Sequence, residues 1–136
     1  MVELLIGKKG TGKTKALIDK VNNALTVAKG NIVFVSSNGD NMFDIKSKVR
    51  MANTADFDIK TYNEFLGFIY GIVSRDYDIT NIFVDSIFKI VGNDNLDGFE
   101  SFLERLETLG NKFNIAFVIS VSIDADTAPD YIKKFA

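Results

Sequence analysis

Four nearly continuous apolar runs of strand length divide the chain: Val2-Glu3-Leu4-Leu5-Ile6, Asn31-Ile32-Val33-Phe34-Val35-Ser36, Ile79-Thr80-Asn81-Ile82-Phe83-Val84-Asp85 and Ile115-Ala116-Phe117-Val118-Ile119-Ser120-Val121. Continuity, as opposed to strict alternation, is the pattern of parallel strands covered on both faces. The intervening segments change period. Ala16, Leu17, Val21, Ala24, Leu25 and Ala28 fall on one side of a helix, with Gly30 as its C-terminal stop. Thr61 and Glu64 form a capping box ahead of Phe65, Leu66, Phe68, Ile69, Ile72 and Val73, which carry a helix to about Ser74. Asn95 to Leu109 reads as a helix with Leu96, Phe99, Phe102, Leu103, Leu106 and Leu109 on its apolar side and Gly110 as its stop. Asp97, Glu100, Glu104, Arg105 and Glu107 sit at helical spacing opposite and form a solvated face. Pro129 opens a short last helix through Lys134.

The least patterned stretch lies between the second and third runs. Ser37 to Asn41 is loop by composition, Lys48 to Ala52 alternates as an edge strand would, and Thr54 to Lys60 forms a turn. The order is therefore strand, helix, strand, irregular stretch or short strand, helix, strand, helix, strand, short helix. It predicts one domain over residues 1–136, a three-layer α/β sandwich with a mostly parallel sheet of about five strands and a ligand crevice at the strands' carboxyl ends.

Composition narrows the chemistry. A chain of 136 residues with 46% hydrophobic content and 12 Phe is large enough to bury a core. It has no Cys and no His, which rules out disulfides, thiolate or imidazole metal ligands, Cys nucleophiles and His bases, so any metal sits on oxygen. No apolar run reaches the roughly 18 residues of a membrane span, and no basic-then-apolar leader precedes the first strand; a cytoplasmic location is the expectation. The net charge is −2 and the basic residues are dispersed apart from Lys8-Lys9, Lys13-Lys15 and Lys46-Lys48-Arg50, which argues against a general nucleic-acid surface.

The junction of the first strand and first helix carries the sharpest signal: Gly7-Lys8-Lys9-Gly10-Thr11-Gly12-Lys13-Thr14, followed by Lys15, reads G-x-x-x-x-G-K-T. Glycines let the backbone turn tightly enough to aim N–H groups at a phosphate, and the following helix adds the positive end of its dipole. Lys13 is placed to reach β- and γ-phosphates, and the Thr14 hydroxyl to ligate Mg²⁺. The third apolar run ends in Asp85, a carboxylate suited to the same Mg²⁺; the competing reading is a helix N-cap, because Ser86 to Val91 is apolar and short.

With these residues the chain resembles the P-loop NTPase superfamily, and its layout is similar to the branch containing AAA, RecA and helicase-type ATPases. The resemblance implies an ATP-binding domain in which the strand after Asp85 lies between the other two and ends in a residue that senses the γ-phosphate, here Ser120 or Ser122. Two departures follow. That branch usually places Glu after the Asp, and this chain has Ser86; loss of water activation, typically worth ~10²–10⁴-fold, implies slow hydrolysis unless Asp40 or Glu64 substitutes. The guanine-reading N-K-x-D is absent, since Asn111-Lys112-Phe113-Asn114 ends in Asn. The Lys8-Lys9 start is also similar to the deviant loop of partition ATPases, which implies Lys8 reaching across a nucleotide-sandwich dimer. The expected function is a Mg·ATP-binding slow ATPase or nucleotide-gated switch acting on a protein partner, its oligomeric state left open. The alternatives are a small-molecule phosphotransferase, disfavoured by only three Arg and no Arg-rich lid, and a nucleotide-binding scaffold without turnover.

Overall fold

The computed structural model describes residues 1–38 and 45–136; Asp40 and the end of the predicted loop at Asn41 lie outside the described residues. Every apolar run becomes a strand of one sheet: β1 (Val2–Gly7), β2 (Asn31–Ser36), β4 (Ile79–Val84) and β5 (Ala116–Ser122), joined by the short β3 (Arg50–Asn53). Their spatial order is β1-β5-β4-β2-β3, and every strand pairing is parallel. The strand after Asp85 thus lies between the other two, as the resemblance implied. An isolated antiparallel bridge, Gly7 to Ile123, extends the β1–β5 edge.

The two-residue pleat divides each central strand between two cores. Ile32 and Phe34 of β2, Phe83 of β4 and Val118 of β5 face α1 (Lys13–Ala24), whose Leu17, Ile18 and Val21 are buried against them. Their neighbours Val33, Val35, Ile82, Val84, Phe117, Ile119 and Val121 face the opposite layer. That layer is built by α2 (Tyr62–Ser74), α3 (Ile87–Val91), α4 (Phe99–Phe113) and α5 (Asp130–Phe135). Burial on both faces explains why the runs read as continuous. Phe34, Phe65, Phe99 and Phe117 are fully buried, each worth about 1.5–3 kcal/mol of hydrophobic transfer.

Three boundaries differ from the sequence reading, and at two of them a glycine serves packing instead of a helix stop. The first helix ends at Ala24, not near Gly30; Gly30 is required because a Cβ there would come within 2.1 Å of the Asp78 carbonyl oxygen. The helix expected over Asn95 to Leu109 is shifted to Phe99–Phe113 and passes through Gly110. A Cβ at Gly110 would lie 2.6 Å from the Ile115 carbonyl oxygen, so this glycine permits close helix–strand approach, and the stop is Asn114 in the left-handed region at φ 58°. The edge strand starts two residues later than expected, at Arg50. Elsewhere the local chemistry holds. The Thr61 Oγ1 accepts from the Glu64 N–H at 3.0 Å, and Glu64 Oε1 accepts from the Lys60 N–H at 3.0 Å, closing the predicted cap of α2.

Candidate functional site

β1 delivers the chain into the glycine-rich loop at the carboxyl edge of the sheet. Gly10 and Gly12 adopt φ +84° and +85°, a region that side chains other than Gly rarely enter. At Gly7 a Cβ would approach Thr11 Oγ1 to 2.8 Å, so a larger residue there would push the Thr11 hydroxyl aside. The Thr11 hydroxyl and the Lys13 ammonium both donate to the Lys8 carbonyl oxygen, at 2.7 and 2.8 Å, and hold the loop curled. Gly12 caps α1 without a side chain, leaving the first-turn amides of this 12-residue helix aimed into the loop.

Lys9, Gly10, Gly12, Lys13 and Thr14 line a cavity of about 280 Å³ whose far wall is formed by Ser86, Lys89 and Ser122. An adjoining cavity of about 140 Å³ is lined by Thr14, Ser36, Ser37, Asn38, Asp85, Ser86 and Lys89. The motif residues Gly7, Lys8, Thr11 and Lys15 do not line either one. Gly7 and Thr11 shape the loop, Lys15 is exposed on α1, and Lys8 turns aside to pair with Asp124 at 3.5 Å. The Lys8 ammonium is therefore engaged within its own chain. Asp124 is held below the usual carboxylate range, first by the Asp126 N–H and then by Lys8, with desolvation opposing. Desolvation pulls Lys13 below the ordinary lysine value, and the negative charge of Asp85 works against it.

Asp85 follows β4 directly, and its N–H continues the ladder by donating to the Val35 carbonyl oxygen at 2.9 Å. Its Oδ1 accepts from three hydroxyls: Ser120 at 3.1 Å, Thr14 at 3.2 Å and Ser86 at 3.4 Å. Thr14 and Asp85 are 71 positions apart, and only the sheet order brings them together. Ser86 caps α3 in the left-handed region at φ 58° without a side-chain cap bond, and its N–H donates to Ser120 Oγ at 2.7 Å. The N-cap role weighed for Asp85 is thus taken by the Ser86 backbone.

The two candidate sensor serines have different surroundings. Ser120 is buried and bonds Asp85 and Ser86, whereas Ser122 is exposed and lines the cavity opposite Lys13. Glu64 is committed to the α2 cap and lines neither cavity. Lys89 belongs to no motif in the sequence; its one signal there is a cation one helical turn beyond Asp85. Ser36 and Ser37 were hidden in a stretch that reads simply as strand end and loop.

The donor set suits a magnesium ion. A hydroxyl and a carboxylate already in contact leave most positions to water and phosphate, which is how this small, strongly hydrated cation is usually held. No group of three or more acidic side chains that could form an all-protein metal cage occurs among the described residues. No helix among those residues is long and apolar enough to cross a membrane.

No protein-family model and no curated protein matches the chain. Its fold does match solved structures. The crystal structure of a KaiC-like protein from the hyperthermophilic archaeon Pyrococcus horikoshii superposes with a TM-score of 0.69 at 18% identity, covering 98% of this chain and 68% of that one. At that identity the likeness is one of fold: a five-stranded parallel α/β sheet with helices on both sides, matching a KaiC-like domain.

Proposed function

We propose that this is a P-loop NTPase-type protein that binds Mg·ATP and acts as a slow ATPase or nucleotide-gated switch toward a protein partner. The observation that carries the reading is the 3.2 Å contact between Thr14 of the loop and Asp85 beyond β4, beside the Lys13 ammonium and the first-turn amides of α1. The loop amides and Lys13 would take the phosphates, with Lys13 exchanging its bond to the Lys8 carbonyl for phosphate oxygens. Thr14 and Asp85 would hold Mg²⁺, which supplies neutralisation of charge on the β- and γ-phosphates. The KaiC-like fold supports this family of functions.

Slow turnover follows from the lining. Among the described residues, Asp85 is the single carboxylate of the two loop cavities, and it is occupied by three hydroxyls. Neither Ser86 nor Ser122 is a base near neutral pH. The test is binding. Mg·ATP should raise the melting temperature of the wild type, and Lys13→Ala should abolish the rise, because it removes the flexible cation of the loop. Equal affinity of wild type and Lys13→Ala in calorimetry would overturn the reading.

A further inference from the structure

We propose that Lys89 is the group that recognises the terminal phosphate and so distinguishes nucleoside triphosphate from diphosphate; this rests on the Mg·ATP reading above. Ser86 sets the position of Lys89. Its left-handed backbone, held by the 2.7 Å bond from its N–H to Ser120 Oγ, turns the chain sharply after Asp85 and lays α3 beside the mouth of the loop. In α3 the apolar residues decide the orientation: Ile87, Ile90 and Val91 are buried in the core, which turns Lys89 outward. Outward here means over the loop. Lys89 lines the cavity containing Lys13 and Thr14, the one containing Thr14 and Asp85, and a third of about 670 Å³ that reaches from Lys9 and Ser122 to Asn93 and Asp94.

A lysine in the last turn of a helix is ordinarily a solvated charge that complements the dipole. Lys89 differs in being the residue common to all three cavities around the loop, and it makes no ion pair among the described residues. Its wall faces the loop across the space next to Thr14 and Asp85. Thr14 and Asp85 would hold a metal ion that neutralises phosphate charge, and the phosphate nearest Lys89 would be the last one. The amides of the loop would hold the inner phosphates, and Lys13 would reach the β- and γ-oxygens from the side opposite Lys89. The cation that other phosphate sites obtain from a partner's arginine is then supplied within this chain, by a flexible ammonium that acts as a point charge.

Calorimetric titration of the full chain with a Mg²⁺-bound non-hydrolysable ATP analogue and separately with Mg·ADP tests this, on wild type, Lys89→Met and the charge-matched surface control Lys29→Met. The expected result is a loss of about tenfold or more in analogue affinity for Lys89→Met, with ADP affinity within about twofold of wild type and Lys29→Met unchanged for both. An equal loss for the two nucleotides, or no loss for either, overturns the assignment while leaving the Mg·ATP reading intact. Wild type binding neither nucleotide overturns both. Lys89 is exposed, so Lys89→Met should melt with the wild type and separate a binding effect from a folding one.

Discussion

Asp85 combines two roles that substitutions can separate. As the acceptor for Thr14, Ser86 and Ser120 it joins the loop, the start of α3 and β5, so it belongs to the fold as well as to the cavity. Read from sequence, a carboxylate at a strand end has little to do with stability; the three hydroxyls change that. Asp85→Asn keeps an acceptor oxygen and should hold the nucleotide-free melting temperature within a few degrees, while Asp85→Ala should cost about 1–3 kcal/mol by stranding hydroxyls that include the buried Ser120. Both should blunt the Mg·ATP-dependent rise in melting temperature, because neither offers a charged oxygen to the metal. Thermal scans with and without Mg·ATP check both halves. Asp85→Ala as stable as Asp85→Asn would refute the structural half, and an undiminished rise would refute the metal half.

At the scale of elements, glycines and one carboxylate set how closely neighbours approach. Gly110 lies inside α4, where helix propensity alone favours Ala by about 1 kcal/mol. The Cβ would meet the Ile115 carbonyl oxygen at 2.6 Å, and backbone cannot move aside cheaply, so strain of about 1–3 kcal/mol should win. Gly110→Ala is expected to lower the urea midpoint at unchanged slope; a raised midpoint would mean that the glycine is an ordinary helix position. Asp76, in the turn before β4, collects the Asn31 amide of β2 at 2.8 Å, the Arg50 guanidinium of β3 and the Asp78 N–H at 2.9 Å. Desolvation pushes its carboxyl upward, but the bonds from Asn31 and Asp78 and the charge of Arg50 leave it below the usual carboxylate value. A depressed folded-state pKa stabilises the fold fully above the unfolded value of about 3.9, and the contribution is lost as pH falls through the lower folded value. The stability gap between wild type and Asp76→Asn should therefore be widest near neutral pH and close on acidification. A gap independent of pH between 7 and 2.5 would contradict this.

Under the proposed function the whole molecule determines rate, because phosphoryl transfer needs a base and charges from several elements at once. With no carboxylate apart from Asp85 among the described residues lining the two cavities at Thr14, unassisted turnover should stay at or below roughly 10⁻² s⁻¹, the range of phosphate switches that await a group from a partner. Phosphate release measured on the purified chain decides it; a rate near 10 s⁻¹ would demand a base elsewhere, Asp40 being the first to mutate. Much of this molecule is local and so legible in one dimension. Continuous apolar runs mark strands buried on both faces, Thr61 and Glu64 close a cap within one turn, and the glycine spacing of residues 7–14 specifies backbone that other residues resist. The close-approach glycines, the hydroxyl cluster on Asp85, the separation of Ser120 from Ser122 and the position of Lys89 were decided by tertiary structure. Apart from the Gly110 contact, which lies within the turn after α4, these depend on which strand lies beside which: placing β5 between β1 and β4 brings residues 7, 14, 85 and 120 to one edge. Neighbours in a sheet are chosen by the packing of whole elements, and no periodicity along the chain records that choice.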